Sequence, residues 1–453
     1  MNLARSLLAA CERHPNAEAL PGISYGELRR RAARIAGGFG LQQGERVAVI
    51  LDNRVETALL YWAAQWAGVV FVPLSWRLSD DEIAYCIENA DAALVLRDDP
   101  LPDGQEHPGA LDLDDREASL LLYTSGTTGK PKGVTRSHAA DRAGGLSQAL
   151  QHGYLPGDRT LGVMPLYHTM GIHSLVAMHH VGGCFFSLRR WDAADALRLI
   201  ENQTLTSLYL APTLFHDLVH HPEVESRDLS SVRALGYAGA AMTSALVERC
   251  AAVFQPEVFV NHYGSTEVYT YSIGPDQRRK PGCAGRPALN ARLELVDGEI
   301  CADPQGAEAF TGYWRRPDAD AKSIRDGWFH TGDMGRIDDE GDLWIDGRVD
   351  DMIISGGENI HPLEVEDVLA SHPGVDEVAV VGEPDDRLGQ HVTAYVVGTA
   401  TEAELDAHCL GSPLARFKRP RVYRSVNELP KSASGKILRR ELRVQQSPTE
   451  VSA

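Results

Sequence analysis

Short apolar runs alternate with helical patterns along the first three quarters of the chain. Apolar runs at 46–51, 69–74 and 92–97 are typical of buried strands, and the segments between them, 57–68 and 82–90, have the apolar spacing of helices. The same alternation returns later, at 160–166, 195–203, 207–212, 245–254 and 257–264. Strands that alternate with helices form βαβ units, so the pattern predicts parallel sheets covered by helices.

The pattern changes between 341 and 360, where a short strand pattern ends in charged residues and then in glycines. Beyond this point, helical patterns at 362–372 and 401–410 are interleaved with strand patterns that lie at 375–384, 391–398 and 421–426. The chain has 453 residues, whereas single hydrophobic cores stop growing at about 250–300 residues. We therefore expect an α/β fold with a large N-terminal domain of parallel-rich sheets covered by helices, and a small α+β C-terminal domain.

The charge balance narrows the range of partners. There are 44 lysines and arginines against 63 aspartates and glutamates, which gives a net charge of −19. A nucleic-acid or anionic-membrane surface would require a basic patch, so neither kind of partner is expected. An anionic small molecule would need local cations, and the candidates are Lys130, Lys132, Lys418, Arg419, Arg421 and Lys436.

The seven cysteines are scattered singly, without a C-x-x-C pair, which favours reduced thiols. Residues 1–20 become charged too soon for a secretory signal and instead predict an amphipathic first helix. No run of about 18 apolar residues occurs, so a membrane-spanning helix is not expected. These features favour a cytoplasmic protein. They leave the oligomeric state open, with a homodimer among the alternatives.

The segment 123–133 reads Tyr-Thr-Ser-Gly-Thr-Thr-Gly-Lys-Pro-Lys-Gly and follows an apolar strand pattern. Glycines let the backbone approach a ligand closely, hydroxyl and amide groups donate to phosphate oxygens, and lysines supply positive charge. The segment therefore predicts a polyphosphate site, with ATP as the obvious ligand. It is not a Walker loop, because Thr124 stands where the first glycine belongs and Pro131 follows Lys130.

This segment resembles the signature loop of the adenylate-forming superfamily, which includes acyl-CoA synthetases, luciferases and the adenylation domains of peptide synthetases. Other segments resemble the superfamily's later motifs in the same order, at 164–168, 237–240, 261–267, 331–333 and 429–439. The resemblance covers most of the chain. It implies an adenylation domain at 1–349 and a mobile C-terminal domain at 350–453, with the hinge at Asp350.

The resemblance implies residues that bind ATP and residues that act on it. Tyr263 would contact the adenine, Thr266 the α-phosphate, and Asp333 with Arg348 the ribose. Glu267 would hold Mg²⁺, a hard ion that is bound by one or two carboxylates together with phosphate oxygens. The full set of ATP contacts implied in this way is Thr124, Ser125, Gly126, Thr127, Thr128, Gly129, Lys132, Gly239, Ala240, Tyr263, Gly264, Asp333 and Arg348.

Two further residues would act at the acid. His168 would line or close the acyl pocket beside the substrate carboxylate, and Lys436 would lie between that carboxylate and the α-phosphate. The resemblance is tightest to the 4-chlorobenzoate and related aryl-CoA ligases. On that basis the acyl pocket would be lined by Thr169, Met170, Ala211, His262, Val268, Tyr269 and Thr270. Because His262, Tyr269 and Thr270 replace more apolar residues or an Asn, we expect a hydroxylated or otherwise polar acid.

Coenzyme A is the expected second substrate. Its contacts would be Gly356, Gly357, Phe417, Lys418 and Arg419, while Leu388 replaces a tryptophan of the CoA site in those enzymes. The reaction implied is attack of a carboxylate on the α-phosphorus of ATP, followed by thiol attack on the acyl-adenylate. Three alternatives stay open: an adenylation enzyme that loads a carrier protein, a medium-chain fatty acyl-CoA ligase, and a non-catalytic ATP-binding module.

Overall fold

A computed structural model describes residues 1–98, 100–124, 130–432 and 435–444. Within these ranges the helices are α1 (Leu3–Arg13), α2 (Tyr25–Gly38), α3 (Val55–Ala67), α4 (Asp80–Ala90), α5 (His138–Gln151), α6 (Thr169–His180), α7 (Ala193–Asn202), α8 (Pro212–Val219), α9 (Ser244–Phe254), α10 (Pro317–Ser323), α11 (Pro362–Ala370), α12 (Glu402–Gly411) and α13 (Arg439–Val444).

The strands up to residue 263 are β1 (Glu18–Leu20), β2 (Ile23–Ser24), β3 (Arg46–Val49), β4 (Val70–Pro73), β5 (Leu94–Leu96), β6 (Ala118–Thr124), β7 (Lys132–Ser137), β8 (Arg159–Gly162), β9 (Cys184–Ser187), β10 (Ser207–Leu210), β11 (Ala234–Ala238) and β12 (Val258–Tyr263). The later strands are β13 (Ser272–Ile273), β14 (Arg286–Pro287), β15 (Leu293–Val296), β16 (Glu299–Ala302), β17 (Gly312–Tyr313), β18 (Ile324–Arg325), β19 (Trp328–Ile337), β20 (Leu343–Arg348), β21 (Ile353–Ser355), β22 (Glu358–Ile360), β23 (Val375–Asp385), β24 (Gly389–Gly398) and β25 (Val422–Ser425).

Two large sheets rich in parallel strands lie in the N-terminal part, in agreement with the parallel-rich sheets expected there, although each also has antiparallel strands at one edge. One has the order β17-β7-β6-β4-β3-β5 and the other β14-β13-β12-β11-β10-β8-β9. In each sheet the central strands run parallel, whereas β7 and β17 in the first and β13 and β14 in the second run antiparallel. The carboxyl ends of parallel strands are where open α/β sheets bind ligands, so the segments after β6, β11 and β12 have the right position.

Local sequence explains where the helices begin and end. Ser79 and Glu82 form a capping box at the start of α4, and Thr401 and Glu404 form another at the start of α12. Helix α3 ends at Gly68, which has a φ of 71° and so adopts the left-handed conformation that glycine tolerates best. Residues 97–117 contain no described helix or strand and connect β5 to β6.

A third sheet was not anticipated from the apolar pattern. It is antiparallel, with the order β15-β16-β19-β18, and β20 pairs with the other side of β19. The turn between β15 and β16 is Asp297-Gly298, with φ values of 51° and 81°. An Asp-Gly pair between two strands favours this two-residue hairpin, so a signal for the sheet was present in the sequence.

The C-terminal residues form a separate α+β unit, as predicted. Its sheet has the order β22-β21-β24-β23, with β25 parallel to β24. Helices α11 and α12 contribute Val365, Leu369 and Leu405 to a buried core with strand residues such as Val380 and Val396. A short 3₁₀ turn at Val349–Asp351 joins this unit to β20.

All seven cysteines are buried and free, as the sequence predicted. Among the described residues, no helix combines the length and the apolar character needed to cross a bilayer.

Candidate active site

The described ends of the predicted phosphate segment belong to two paired strands. Strands β6 and β7 pair so that Thr124 faces Lys132, and the Thr124 hydroxyl donates to the Lys132 carbonyl oxygen at 3.4 Å. Five predicted contacts, Ser125, Gly126, Thr127, Thr128 and Gly129, lie outside the described residues. The Lys132 ammonium lies 4.6 Å from the centroid of the Tyr313 ring, within the range of a cation–π contact.

Tyr313 connects this strand pair to Glu267. Strand β17 pairs with β7 and so places Tyr313 beside Val134. The Tyr313 hydroxyl donates to the Glu267 carboxylate at 2.7 Å. Glu267 is half-buried and keeps a second carboxylate oxygen, and Tyr313 links it to Lys132. One carboxylate near a phosphate site is a donor set that fits Mg²⁺.

The predicted ribose residues are in contact with one another. Asp333 and Arg348 are directly paired residues of β19 and β20, and their side chains form a salt bridge of 2.7 Å. The other carboxylate oxygen of Asp333 accepts from the Tyr263 hydroxyl at 2.6 Å. Three residues that are distant in the sequence therefore meet at one carboxylate, which could accept hydrogen bonds from two vicinal hydroxyls.

Two glycines of the predicted ATP contacts, Gly264 and Gly239, are positions that disfavour a side chain. Gly264 has no room for one, and Gly239 has a backbone conformation that other residues rarely adopt. A Cβ on Gly264 would lie 1.8 Å from the Tyr269 carbonyl oxygen, so the motif turn closes directly onto the next segment. Gly239 has a φ of 85°, and a Cβ there would lie 3.8 Å from the Met170 sulfur. The loop containing Gly239 and Ala240 therefore lies beside the start of α6, where Thr169 and Met170 follow His168.

His168 is the N-cap residue of α6, and its ring packs against Tyr167 with a centroid separation of 4.9 Å. Burial lowers the pKa of His168 to about 4. The imidazole is therefore neutral at pH 7. A neutral imidazole can line a pocket or form hydrogen bonds there, but it does not supply a fixed positive charge.

Lys436 reaches this site from the C-terminal unit. Asp333 and Arg348 are near enough to act on its charge, and desolvation at the domain junction lowers its pKa, although the side chain keeps access to solvent. A Cβ on the preceding Gly435 would lie 2.2 Å from the Thr213 hydroxyl and 3.7 Å from Ala211. The loop that carries Lys436 therefore packs against Thr213 and lies beside Ala211, one predicted residue of the acyl pocket, and the Lys436 ammonium is within electrostatic range of Asp333 and Arg348.

The predicted acyl residues His262 and Tyr269 belong to a buried polar network. The Nε2–H of His262 donates to the Tyr269 carbonyl at 3.2 Å, which leaves Nδ1 to accept from Nε2–H of His152 at 3.1 Å. The Tyr269 hydroxyl donates to Gln148 at 2.6 Å and lies 3.4 Å from the Tyr209 hydroxyl. Burial lowers the pKa of His262 to about 4 and that of His152 well below its usual value, so the pair is neutral.

Sequence reasoning missed His152, Gln148 and Tyr209. Gln148 and His152 are four residues apart at the end of α5, a spacing that places them on one face of the helix, but no motif surrounds them. Two further predicted acyl residues, Val268 and Thr270, are also buried. The Thr270 hydroxyl has no hydrogen-bond partner among the described residues, which is costly for a buried polar group.

A buried ion pair supports the segment that contains Thr266. Arg136 and Asp141 are fully buried and 2.6 Å apart, and His173 lies 3.2 Å from the same carboxylate. Arg136 also donates to the Thr266 carbonyl at 3.0 Å. Desolvation would raise the pKa of Asp141, but Arg136 and the hydrogen bonds from His173 and Ser119 together hold it well below its usual range. No recognisable motif surrounds these residues in the sequence.

The predicted CoA residues lie on the C-terminal unit. Gly356 and Gly357 form the exposed turn of the β21–β22 hairpin, with φ values of 62° and 88°. Phe417 is 49% exposed. Lys418 is paired with Glu364 at 2.6 Å, and Arg419 is paired with Asp406. Both cations would therefore have to exchange a carboxylate for a phosphate in order to bind a nucleotide.

Two protein-family models match the chain, one over its N-terminal part and one over its C-terminal part. The family model described as "AMP-binding enzyme" matches residues 7–118 and 98–314, and the model described as "AMP-binding enzyme C-terminal domain" matches residues 364–436. The chain is 34% identical to a 4-chlorobenzoate–CoA ligase from an Arthrobacter species, over 93% of this chain and 90% of that protein.

Two further similarities are relevant to the substrates. A fatty acid–[acyl-carrier-protein] ligase, ScoC from Streptomyces coeruleorubidus, is 32% identical over 93% of this chain and 91% of its own length. The solved structure of the o-succinylbenzoate CoA synthetase MenE from Bacillus subtilis, in complex with its acyl-adenylate intermediate, has a TM-score of 0.85 and 28% identity. It covers 97% of both chains.

Proposed function

The chain belongs to the family of AMP-binding enzymes, and from that membership we propose that it is an ATP-dependent carboxylate–CoA ligase for an aromatic, benzoate-like acid. The observation that carries the proposal is the position of Lys436, which lies near Asp333 and Arg348 on a loop that contacts Ala211 and Thr213. A cation there would face both the nucleotide and the acid. The relatives that act on 4-chlorobenzoate and o-succinylbenzoate support an aromatic substrate.

In the first half-reaction, a carboxylate oxygen of the acid attacks the α-phosphorus of ATP and pyrophosphate leaves, giving an acyl-adenylate. Two anions must approach each other, so positive groups that lie where charge develops lower the barrier. Lys436 would stabilise the attacking carboxylate and the α-phosphate, and Lys132 the departing phosphates. Glu267, aligned by Tyr313, would hold Mg²⁺, which when bound neutralises phosphate charge.

In the second half-reaction, the thiol of CoA attacks the adenylate carbonyl and AMP leaves. Lys436 lies within electrostatic range of the proposed ribose residues Asp333 and Arg348, while the exposed hairpin of Gly356 and Gly357 is on the same small domain. We propose that the small domain, 350–453, rotates about Asp350 to replace Lys436 by this hairpin. Its glycines leave space for a narrow pantetheine arm, and Lys418 and Arg419 would bind CoA phosphates.

Polar side chains in the proposed acyl pocket favour an acid with a hydrogen-bonding substituent. His262 and Tyr269 are fixed in a buried network, and the Thr270 hydroxyl has no hydrogen-bond partner among the residues that the structure describes. A substrate hydroxyl, amine or carbonyl that bonded to Thr270 would remove the cost of leaving it unpaired. An unsubstituted fatty chain would leave that cost in place.

A second candidate function is the loading of an acyl carrier protein. The similarity to ScoC favours it, and so does Leu388, which replaces the tryptophan of the CoA site and lies against the hairpin turn, where Gly356 N–H donates to its carbonyl at 2.8 Å. This candidate uses the same adenylation chemistry and differs only in the thiol that accepts the acyl group.

The test is pyrophosphate release measured across a panel of benzoates, hydroxybenzoates and fatty acids, with and without CoA. Acid-dependent pyrophosphate release followed by acyl-CoA formation is expected, with hydroxylated benzoates preferred to fatty acids. Thioester formation on a carrier protein but not on CoA would favour the second candidate. No acid-dependent release of pyrophosphate from any acid would reject both.

The role of Lys436 can be tested separately. Lys436→Ala should reduce adenylate formation by about 10²–10³-fold, as the loss of one charge-stabilising group typically does. The same variant should still convert supplied acyl-adenylate and CoA to the thioester, because Lys436 is proposed to leave the site first. An equal loss in the two half-reactions would contradict the assignment.

A further inference from the structure

Glu299, Cys301 and His330 form a cluster of three different metal-binding side chains outside the proposed reaction centre. Glu299 and Cys301 are two residues apart on β16, so their side chains lie on the same face of the sheet. Strand β19 pairs with β16 and places His330 directly opposite Cys301. Cys301 is fully buried, whereas Glu299 and His330 are half-buried and so leave a route for a small ion.

The donor atoms of the cluster are close together. Nδ1 of His330 lies 2.8 Å from Oε2 of Glu299 and 3.5 Å from Sγ of Cys301, and all the donor atoms lie within 4.8 Å of one another. In a tetrahedral zinc site with bonds of about 2.3 Å to sulfur and about 2.0 Å to nitrogen, the sulfur and nitrogen ligands are about 3.5 Å apart. The sulfur–nitrogen separation already matches this value, and the nitrogen–oxygen pair would have to open only slightly.

We propose that Glu299, Cys301 and His330 bind a thiophilic divalent cation such as Zn²⁺. The thiolate and imidazole donors select Zn²⁺ over Mg²⁺, which prefers oxygen ligands and would go to Glu267 instead. Three protein ligands leave the fourth tetrahedral position to water. Among the residues that the structure describes, this is the one group of His, Cys, Asp and Glu side chains close enough to hold a metal ion.

One neighbouring cation competes with this site. The Arg325 guanidinium lies 3.6 Å from the same Glu299 oxygen that faces His330. Its side chain is 54% exposed, so it can move into solvent when an ion enters. Removing the charge of Arg325 should therefore strengthen cation binding, an effect that a purely structural Glu299–Arg325 pair would not produce.

The site is directly connected to the proposed ribose contact. Oε1 of Glu299 accepts a hydrogen bond from the Gly332 N–H at 3.0 Å, and Gly332 precedes Asp333. A cation bound to Oε2 leaves this bond in place and fixes the Glu299 carboxylate, which would hold the turn before Asp333 more rigidly. This consequence rests on the proposed function, whereas the binding of the ion does not.

The test uses Co²⁺ titrated into the full-length, nucleotide-free protein. Tetrahedral coordination with a thiolate gives a visible d–d band together with a sulfur-to-metal charge-transfer band, which an oxygen site such as Glu267 cannot give. We expect one equivalent of Co²⁺ to produce both bands and Zn²⁺ to displace it. Cys250→Ala is the matched control, because Cys250 is also buried but lies in an apolar core.

The variants decide the outcome. Cys301→Ala should abolish the charge-transfer band, because it removes the thiolate. Loss of even an outer-shell partner lowers metal affinity by about 10–100-fold, so loss of a direct ligand in His330→Gln should weaken binding by at least about tenfold. Arg325→Gln should tighten binding, and Cys250→Ala should leave it unchanged. Absence of the bands in the wild-type protein, or their persistence in folded Cys301→Ala, would overturn the proposal. Either result is independent of ligase activity.

Discussion

Gly435 places the backbone of Lys436 against the large domain in a conformation that other residues adopt at a cost. Its φ is 81°, and a Cβ there would lie 2.2 Å from the Thr213 hydroxyl. The left-handed conformation alone costs a non-glycine residue about 1–2 kcal/mol, so with the steric clash added we expect Gly435→Ala to slow adenylate formation by at least about tenfold. The second half-reaction, started from supplied acyl-adenylate, should be nearly unchanged. Rapid-quench assays of the two halves measure this.

The matched control for Gly435 is Gly341→Ala. Gly341 has a φ of 84° but no atom within 4 Å of its added Cβ, so it has the same backbone cost without the contact between domains. It should affect neither half-reaction. If Gly435→Ala slowed both halves equally, or neither, the docking role of Gly435 would be wrong.

Single residues were predictable from the sequence where a motif surrounds them. Asp333, Arg348 and Lys436 were identified in this way. The structure pairs Asp333 with Arg348 and leaves Lys436 within electrostatic range of both. Asp141 in α5 and His152 directly after it were not identified. Each meets its partner only when the chain folds: Asp141 pairs with Arg136, and His152 bonds to His262. Pairings of this kind depend on the packing of elements, which local pattern does not specify.

At the level of elements, β17 controls the position of Glu267. This strand of two residues pairs with β7 and supplies the Tyr313 hydroxyl to the Glu267 carboxylate at 2.7 Å. Tyr313→Phe should leave the strand paired but let the carboxylate turn. A hydrogen bond to a charged group is worth about 1.5–3 kcal/mol, so we expect kcat/KM for ATP to fall by about tenfold or more and the Mg²⁺ concentration needed for half-maximal rate to rise.

The control for this change is Tyr25→Phe, which removes a buried hydroxyl that donates to the Gly183 carbonyl at 2.7 Å and belongs to the core around α1, α2 and α3. Its effect should be confined to stability. A Tyr313→Phe enzyme with an unchanged Mg²⁺ dependence would show that Tyr313 does not orient a metal-binding carboxylate.

Most elements followed from periodicity, and the exceptions have a physical reason. Strands β3 and β4 are short apolar runs between helices, and their sequence pattern predicted them. The apolar pattern also predicted β23 and β24 in the small domain. The sheet of β15, β16 and β19 was missed because its strands are half-exposed and carry charges such as Glu294 and Arg336, which dilute the apolar pattern. Only the Asp297-Gly298 turn marked it.

At the scale of the whole molecule, buried neutral histidines make stability depend on pH. Burial lowers the pKa of His138, His168, His180 and His262 to about 4 in each case. In the unfolded chain these groups titrate near 6.5, so between pH 6.5 and 4 the unfolded state binds more protons. The free energy of unfolding is therefore not reduced by these histidines above pH 6.5, and it decreases as the pH falls from 6.5 toward 4. Asp and Glu side chains of unfolded peptides titrate at about 3.9 and 4.3, so the histidines account for the upper part of this window.

His262 gives the cleanest test of this dependence. A pKa lowered from 6.5 to about 4 corresponds to about 3 kcal/mol between the two ends of the window. His262→Ile should therefore weaken the protein at pH 8, because His152 loses its acceptor, yet flatten the decline of its thermal midpoint between pH 6.5 and 4.5. His220→Gln, at an exposed histidine, should leave both the midpoint and its slope unchanged. A His262→Ile midpoint that falls in parallel with the wild type would mean that this ring does not titrate on unfolding, and that other groups set the acid limit.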